Sequence, residues 1–288
     1  MERVKGNIAR IVTAAAWGTA IFPLQLVSHN VSPLVIVAIR YLLAATLLGG
    51  YLAWRRQPLL HGISRGVALG ALLFLFAVTI TWGASHTPAL TASFLQETRG
   101  VLVPLLLLLF YGTRLSRRTL LGMAITLLGV YVLVGIPHAT GQYVIVGATL
   151  LSALQIIVID RAGHGEYPYV FCFQQLLVTG LLATIAALVT RQSLALTPTA
   201  VGVLLYLSIV PTLLGYFLQS YGQRLIRADR ASLLLNLAPV FTLLLSLYIQ
   251  PLLFNGQIAA GLALVMLAVI LGELRHLPHL KTAHVART

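Results

Sequence analysis

Long runs of apolar residues, separated by short turn-forming stretches, fill almost the whole chain. At a rise of about 1.5 Å per residue, runs of about 17 to 25 residues match the hydrocarbon core of a bilayer. The separators include SHNVSP at 28–33 and GIPHATG at 135–141, which are rich in residues typical of turns. The pattern predicts ten transmembrane helices, at about residues 7–28, 33–54, 64–85, 88–111, 118–136, 142–160, 168–190, 198–222, 229–251 and 255–274.

The composition supports this interpretation. Hydrophobic residues make up 59% of the 288 residues and charged residues only 9%, whereas soluble proteins are about one quarter charged. The single cysteine, Cys172, excludes an internal disulfide bond. We therefore expect an all-α polytopic membrane protein, located in the bacterial inner (plasma) membrane.

The basic residues predict an orientation. Sixteen of the 19 Lys and Arg residues fall in alternate connections, among them Arg10 near the N-terminus, whereas Arg191 alone falls in the opposite set. The positive-inside rule then places both termini in the cytoplasm, which requires an even number of spans. The net charge of +13 follows from this topology, so we expect no nucleic-acid partner.

The two halves of the chain resemble each other. Each predicted half, residues 1–140 and residues 141–288 with a short basic tail, holds five helices, so the second half enters the membrane in the opposite direction. Such inverted repeats are typical of alternating-access carriers, whose substrate sites lie near the bilayer midplane. At an offset of 139 residues, Gly83 aligns with Gly222 and Gly122 aligns with Gly261.

Motifs in both halves resemble those of a known family. The first half contains AAAWG at 14–18 and TASFLQETRGVLVPLLLLLFYG at 91–112, and the second contains YFLQSYGQRLIRADRASLLLNLAPVFTLLLSLYI at 216–249. In order and duplication these stretches resemble the EamA-type transporters of the drug/metabolite transporter superfamily. The resemblance implies a ten-helix carrier of small metabolites, such as amino acids, amines or drugs, without nucleotide hydrolysis. No Walker-type phosphate loop occurs in the sequence.

Three charged residues, Arg40, Glu97 and Arg99, are predicted to lie deep within spans rather than near a span end. Glu97 and Arg99 fall roughly 14–17 Å below the outer surface and Arg40 about 10 Å below it, counted along the helices. Residues two apart on a continuous helix point about 200° apart, so Glu97 and Arg99 are not expected to pair. Intramembrane charges are costly and usually functional.

Two roles are open for each of these charges. Glu97 is either a cavity carboxylate that binds an ammonium group or a proton, or the partner of Arg40 in an ion pair between the second and fourth spans. Arg99 either binds a substrate carboxylate or satisfies interhelical contacts, with Gln96 orienting it. Arg40 is expected to belong to the scaffold.

Uncharged polar and aromatic residues complete the predicted substrate site. The repeat aligns Glu97 with Asn236 and Arg40 with Gln174, so the charged chemistry is concentrated in the first half. Trp17 is expected in the cavity wall and Trp82 in the cavity wall or the outer interface. The further predicted residues are Gln155 and Gln175 as hydrogen-bonding groups, and Tyr216 and Gln219 as an inner gate.

The sequence thus predicts a secondary carrier or facilitator rather than an enzyme. Small polar or zwitterionic metabolites are the expected substrates, with amino acids as the favoured class and efflux as the expected direction. A carrier of organic or quaternary cations and a membrane-embedded lipid-modifying enzyme are the alternatives. We expect a small-molecule substrate and the lipid bilayer as partners, no cofactor or metal site, and a monomer or homodimer.

Overall fold

The computed structural model describes residues 2–161, 167–194, 196–226, 234–249 and 255–274. These residues form helices joined by short connections. The first half contains α1 (Glu2–Gly18), α2 (Ile21–Ser28), α3 (Pro33–Trp54), α4 (Ile63–Ser85), α5 (Ala89–Gln96), α6 (Arg99–Tyr111) and α7 (Arg117–Val134). The second contains α8 (Thr140–Arg161), α9 (Pro168–Val189), α10 (Pro198–Leu207), a π-helical turn (Ser208–Leu214), α11 (Gly215–Gln223), α12 (Ala238–Ile249) and α13 (Gly256–Leu274).

Eight segments of the described chain are long and apolar enough to cross a membrane, and α12 and α13 are shorter apolar helices. Together they lie at the positions of the ten predicted spans, and the chain is an all-α integral membrane protein. The count of ten crossings and the cytoplasmic termini stay predictions. The predicted start of the ninth span at 229–233, its end at 250–251 and the basic C-terminal tail lie outside the described residues.

Polar caps fix where several spans begin. Ser32 precedes Pro33 and its hydroxyl accepts the Val35 N–H at 3.4 Å, which satisfies a backbone donor that has no partner within the helix. Thr197 caps α10 in the same way, through the Ala200 N–H at 3.2 Å, and is also followed by proline. Proline is favoured at the first helical position because its missing N–H would be unpaired there.

Three of the spans are interrupted near their middle. The first breaks between α1 and α2, and the fourth between α5 and α6. The eighth passes through the π-helical turn, which contains Pro211. Proline cannot donate a backbone hydrogen bond and therefore disturbs the helical ladder around it. All three interruptions border the central cavity described below, through Ala20, Gln96 and Pro211.

The two halves interlock, and their contacts repeat in both. The helix α3 packs along α9, and α7 packs along α13. In the repeat, α1 corresponds to α8, and α4 corresponds to the span that ends in α11. The helix α1 contacts α11, and in the same way α8 contacts α4. A Cβ atom added to Gly83 would lie 3.2 Å from the carbonyl oxygen of Gly141, and one added to Gly222 would lie 3.4 Å from that of Gly6. The glycines that match in sequence therefore occupy matching helix crossings.

The position of Arg10 corrects one prediction. The sequence placed Arg10 in a cytoplasmic segment, but its side chain is completely buried within the first span, Val4–Ser28. A Cβ atom added to Gly222 would lie 2.9 Å from the Cδ atom of Arg10, so the arginine side chain fills the space that this glycine leaves. The candidate span Val4–Ser28 starts three residues before the predicted one, and within it Arg10 packs against Gly222 of α11.

Candidate functional site

A partly enclosed central cavity of about 70 Å³ lies between the two halves. A single water needs about 10–15 Å³ on the same measure, so the cavity has room for several waters or a small solute. None of the described residues that line it is acidic. The lining comprises Trp17, Ala20, Ile21, Leu24, Arg40, Tyr41, Phe76, Ala77, Ile80, Thr81, Ala84, Gln96, Pro211 and Tyr216.

The π-helical turn positions Trp17 in the cavity wall. Gly215 directs its N–H to the carbonyl oxygens of Thr212 and Val210 rather than to that of Pro211, which an α-helical register would select. The carbonyl oxygen of Pro211 instead accepts the indole N–H of Trp17 at 2.9 Å. A local change in backbone register therefore creates the acceptor that orients the tryptophan.

The same turn also holds Arg40, which lines the cavity with 8% of its surface exposed. Its Nε donates to the hydroxyl oxygen of Thr212 at 3.2 Å, and that hydroxyl donates to the carbonyl oxygen of Leu207 at 2.7 Å. Within the described ranges, neither terminal nitrogen of the Arg40 guanidinium donates a hydrogen bond. Arg40 therefore lines the cavity with terminal nitrogens that no described residue engages, and its role in the scaffold or in substrate binding stays a prediction.

Three aromatic rings close one side of the cavity. The ring centroids of Trp17 and Tyr216 are 5.5 Å apart, and those of Tyr41 and Tyr216 are 5.9 Å apart. The hydroxyl oxygens of Tyr41 and Tyr216 share a hydrogen bond at 3.1 Å. Tyr216, predicted to be a gate residue, therefore contributes to the cavity wall together with Trp17.

Glu97 and Arg99 contradict the expectation that they cannot pair. The Nη2 atom of Arg99 lies 3.9 Å from Oε1 of Glu97, and both side chains are buried. Their predicted separation of about 200° assumes a continuous helix, but the chain breaks at Glu97 and Thr98 between α5 and α6. Among the described residues, Glu97 thus forms an ion pair with Arg99 and none with Arg40.

Arg99 is packed behind the aromatic wall. Its guanidinium carbon lies 5.8 Å from the ring centroid of Trp17, and Nη1 donates a long hydrogen bond of 3.4 Å to Ser152. Glu97 and Arg99 are not among the residues that line the central cavity. Gln96 lines it, and its amide points to the carbonyl oxygen of Ala92 at 3.5 Å rather than to Arg99.

The matching position in the second half lies close to this pair. Asn236 is completely buried. A Cβ atom added to Gly100 would lie 2.6 Å from the amide nitrogen of Asn236. The structure therefore brings Asn236 against the residue that follows Arg99, so the polar positions of the fourth and ninth spans meet at one crossing.

The remaining predicted residues lie away from the cavity lining. Gln155 donates to Gln175 at 3.1 Å, which joins α8 to α9. The amide of Gln174 donates to the carbonyl oxygens of Leu59 and His61, at 2.7 and 2.9 Å, in the connection between α3 and α4. Trp82 stacks on His86 at 4.1 Å near the end of α4.

Gln219 is 1% exposed, and in the described part of the chain neither its amide oxygen nor its amide nitrogen has a hydrogen-bond partner. It lies between Gly215, whose added Cβ would contact Trp17, and Gly222, whose added Cβ would contact Arg10. Its gate role stays a prediction.

Sequence reasoning missed Tyr41, Thr81 and Thr212. Thr212 directly follows Pro211, an intramembrane proline that signals local backbone irregularity, whereas nothing in the pattern distinguishes Tyr41 or Thr81 from other span residues. Among the described residues, no three His, Cys, Asp or Glu side chains gather into a group that could hold a metal ion.

Apolar spans in two interlocked halves surround a mostly apolar cavity that holds a few polar groups, an arrangement typical of membrane transporters. The model of the EamA-like transporter family matches residues 4–135 and 139–272, so this chain belongs to that family. The two matches confirm the two-repeat fold that the sequence predicted.

Two relatives agree with this assignment, and a solved structure shares the fold. An uncharacterized transporter of Archaeoglobus fulgidus is 23% identical over 278 residues, which cover 96% of this chain and 88% of the relative. A probable amino-acid metabolite efflux pump of Salmonella typhimurium is 26% identical over 287 residues, covering 92% of this chain and 93% of the relative. One crystal structure, 17% identical, has a TM-score of 0.77 over 95% of this chain and 98% of that one, which shows the fold alone.

Proposed function

We propose that this transporter exports small amino acids and related carboxylate-bearing metabolites by alternating access through the central cavity. The observation that carries the proposal is the guanidinium of Arg40, which lines the cavity and directs no terminal N–H to another described residue. A planar guanidinium matches a carboxylate with two parallel hydrogen bonds, and such charge-assisted bonds are about twice as strong as neutral ones.

The remaining lining suits the rest of an amino acid. The indole of Trp17 and the ring of Tyr216 offer π faces that attract an ammonium group within about 6 Å of the ring. Ile21, Leu24 and Phe76 supply apolar surface for a small side chain. The cavity volume of about 70 Å³ favours small substrates.

The lining disfavours an organic cation as the main substrate. A quaternary ammonium group would enter a cavity whose described charged residue is Arg40, and it would gain no carboxylate contact there. Like charges in a site of low dielectric constant repel each other strongly. The preferred ligand therefore carries a negative group as well as a positive one.

The export direction is supported by relatives. Those of Salmonella typhimurium and Escherichia coli, each 26% identical, are named probable amino-acid metabolite efflux pumps. We extend that direction to this chain as part of the proposal.

Flux through reconstituted protein tests the proposal. Liposomes containing the purified transporter should take up or release labelled small neutral amino acids with saturable kinetics, in competition with unlabelled amino acids. Arg40→Gln should raise KM at least about tenfold, because a hydrogen bond to a charged group contributes about 1.5–3 kcal/mol. The KM of Arg40→Lys should lie between those of wild type and Arg40→Gln, because lysine keeps the positive charge but lacks the planar guanidinium group.

Two results would overturn the proposal. One is saturable transport of tetraethylammonium with no transport of any amino acid. The other is an unchanged KM for amino acids in Arg40→Gln. A melting curve and a gel-filtration profile for each variant separate loss of binding from loss of folding.

A further inference from the structure

A second and larger pocket lies at one end of the bundle, between the last turn of α3, the start of α9 and the end of α11. Its volume is about 280 Å³, compared with about 70 Å³ for the central cavity. We name it the arginine–tyrosine pocket. It is lined by Tyr51, Leu52, Arg55, Gln57, Tyr167, Pro168, Tyr169, Val170 and Arg224.

The polar lining of this pocket is cationic and rich in hydrogen-bond donors. Arg55 and Arg224 contribute guanidinium groups and Gln57 an amide, while Tyr169 carries a phenolic hydroxyl close to Arg224. None of its described lining residues is acidic. Guanidinium groups are the preferred partners of phosphate because their N–H groups match its oxygens in pairs.

The pocket is built on fixed elements. Leu52, Pro168 and Val170 are buried and form its apolar floor. The Gln57 N–H bonds to the carbonyl oxygen of Leu52 at 2.9 Å, which folds the chain back against the end of α3. The connection that follows is anchored to α9 by the amide of Gln174. Gln174, which the sequence analysis predicted in the substrate site, thus holds the connection between α3 and α4.

Exposed aromatic residues lie beside the pocket at the end of α3. Tyr51 is 49% exposed and Trp54 is 76% exposed, with ring centroids 6.2 Å apart. Tryptophan and tyrosine at the end of a span are typical of the headgroup level of a bilayer. This end of the molecule also carries the basic connections that predict the cytoplasmic side, where anionic lipids attract basic residues.

We propose that the arginine–tyrosine pocket binds a phosphate group, with Arg55 and Arg224 as its cationic ligands and the headgroup of an anionic phospholipid as its source. The phosphate lies between the two guanidinium groups, and the acyl chains leave past Tyr51 and Trp54 into the bilayer. A lipid held there bridges α3 of the first half and α9 and α11 of the second. The proposal is independent of the transported substrate.

Native mass spectrometry and thermal melting of the full chain test this site. Wild type should retain phosphatidylglycerol from mixed micelles in preference to phosphatidylcholine, and phosphatidylglycerol should raise its melting temperature. In the double variant Arg55→Gln with Arg224→Gln, affinity for phosphatidylglycerol should fall about 25-fold, since each basic residue near an anionic surface contributes about fivefold. The same measurements with glycerol phosphate test whether the pocket binds a phosphate compound from solution instead of a lipid.

Arg118→Gln is the matched control, because Arg118 is exposed, lies in α7 and does not line the pocket. Its lipid affinity should equal that of wild type. Binding of glycerol phosphate that depends on Arg55 and Arg224 would support the phosphate site. If phosphatidylglycerol did not bind there as well, the phosphate would come from a soluble molecule and the lipid source would be wrong.

Equal affinity of phosphatidylglycerol for the double variant and wild type would overturn the proposal, as would binding of neither ligand. Equal melting of all variants in phosphatidylcholine confirms that they are folded. Amino-acid flux in phosphatidylcholine liposomes tests the transport function separately.

Discussion

At the scale of single residues, Thr212 is a positioning residue for Arg40. Its hydroxyl accepts the Arg40 Nε–H at 3.2 Å and donates to Leu207 at 2.7 Å, so it fixes the direction in which the guanidinium points. Valine has nearly the same shape as threonine, so Thr212→Val removes the hydrogen bonds to Arg40 and Leu207 with little change in packing. We expect KM for amino acids to rise about tenfold, because a hydrogen bond to a charged group contributes about 1.5–3 kcal/mol. The measurement is flux as a function of substrate concentration.

Thr212→Ser is the control for this prediction, since it keeps the hydroxyl and should keep the wild-type KM. A merely structural role of Thr212 would lower the melting temperature of the valine variant without changing KM. An unchanged KM in a folded Thr212→Val protein would contradict the positioning role.

The sequence identified several residues that the structure places around one cavity, but it did not identify the residues with which they form hydrogen bonds or ion pairs. Trp17, Arg40, Gln96 and Tyr216 all line the central cavity. The pairing of Glu97 was missed because it depends on a break in the helix, and no rule for a continuous helix indicates such a break.

At the scale of the helices, the π-helical turn links the positions of Arg40 and Trp17. Pro211→Ala restores a backbone N–H and removes the ring that obstructs an α-helical register. The Gly215 N–H can then bond to the carbonyl oxygen of residue 211, which displaces the Trp17 indole. We expect a melting temperature equal to or above that of wild type and a maximal flux several-fold lower. Both are measured in the same reconstituted preparation.

Pro104→Ala is the matched control for Pro211→Ala. Pro104 also lies inside a helix and is buried, but it does not line the central cavity. Its flux should stay near that of wild type. If both proline variants lost flux equally, the effect would come from general helix flexibility and not from the turn at Pro211.

The spans themselves were largely predictable, because bilayer thickness imposes their length and polar caps mark their ends. The sites Ser32–Pro33 and Thr197–Pro198 begin α3 and α10 as the pattern indicates. The break after Gly18 was not predictable, since the apolar run continues through it and only tertiary packing determines where the helix is interrupted.

At the scale of the whole molecule, the repeat seen in the sequence becomes a set of matched contacts between halves. The offset of 139 residues maps Gly129 onto Ala268 and Gly261 onto Gly122. An added Cβ at Gly129 would lie 3.0 Å from the carbonyl oxygen of Gly261, and one at Gly122 would lie 4.0 Å from that of Ala268. The crossing of α7 and α13 is therefore symmetric, although alignment alone does not show which glycines meet.

This crossing predicts a specific sensitivity to side-chain size. Gly129→Leu introduces a side chain where an added Cβ would already lie 3.0 Å from Gly261 and Val265 atoms, so α7 and α13 must separate. Overpacking of this kind costs about 1–3 kcal/mol, and small residues are what allow such close approach in membranes. Melting of the purified protein should show Gly129→Leu and Gly261→Leu well below wild type.

Gly147→Leu provides the comparison, because Gly147 is exposed and an added Cβ there meets nothing within 4 Å. Leucine is also a better helix former than glycine, by roughly 0.5–1 kcal/mol, so this variant should melt at or above the wild-type temperature. If Gly147→Leu lowered the melting temperature as much as Gly129→Leu, the loss would reflect glycine replacement in general. The symmetric crossing of α7 and α13 would then not be what stabilises the joined halves.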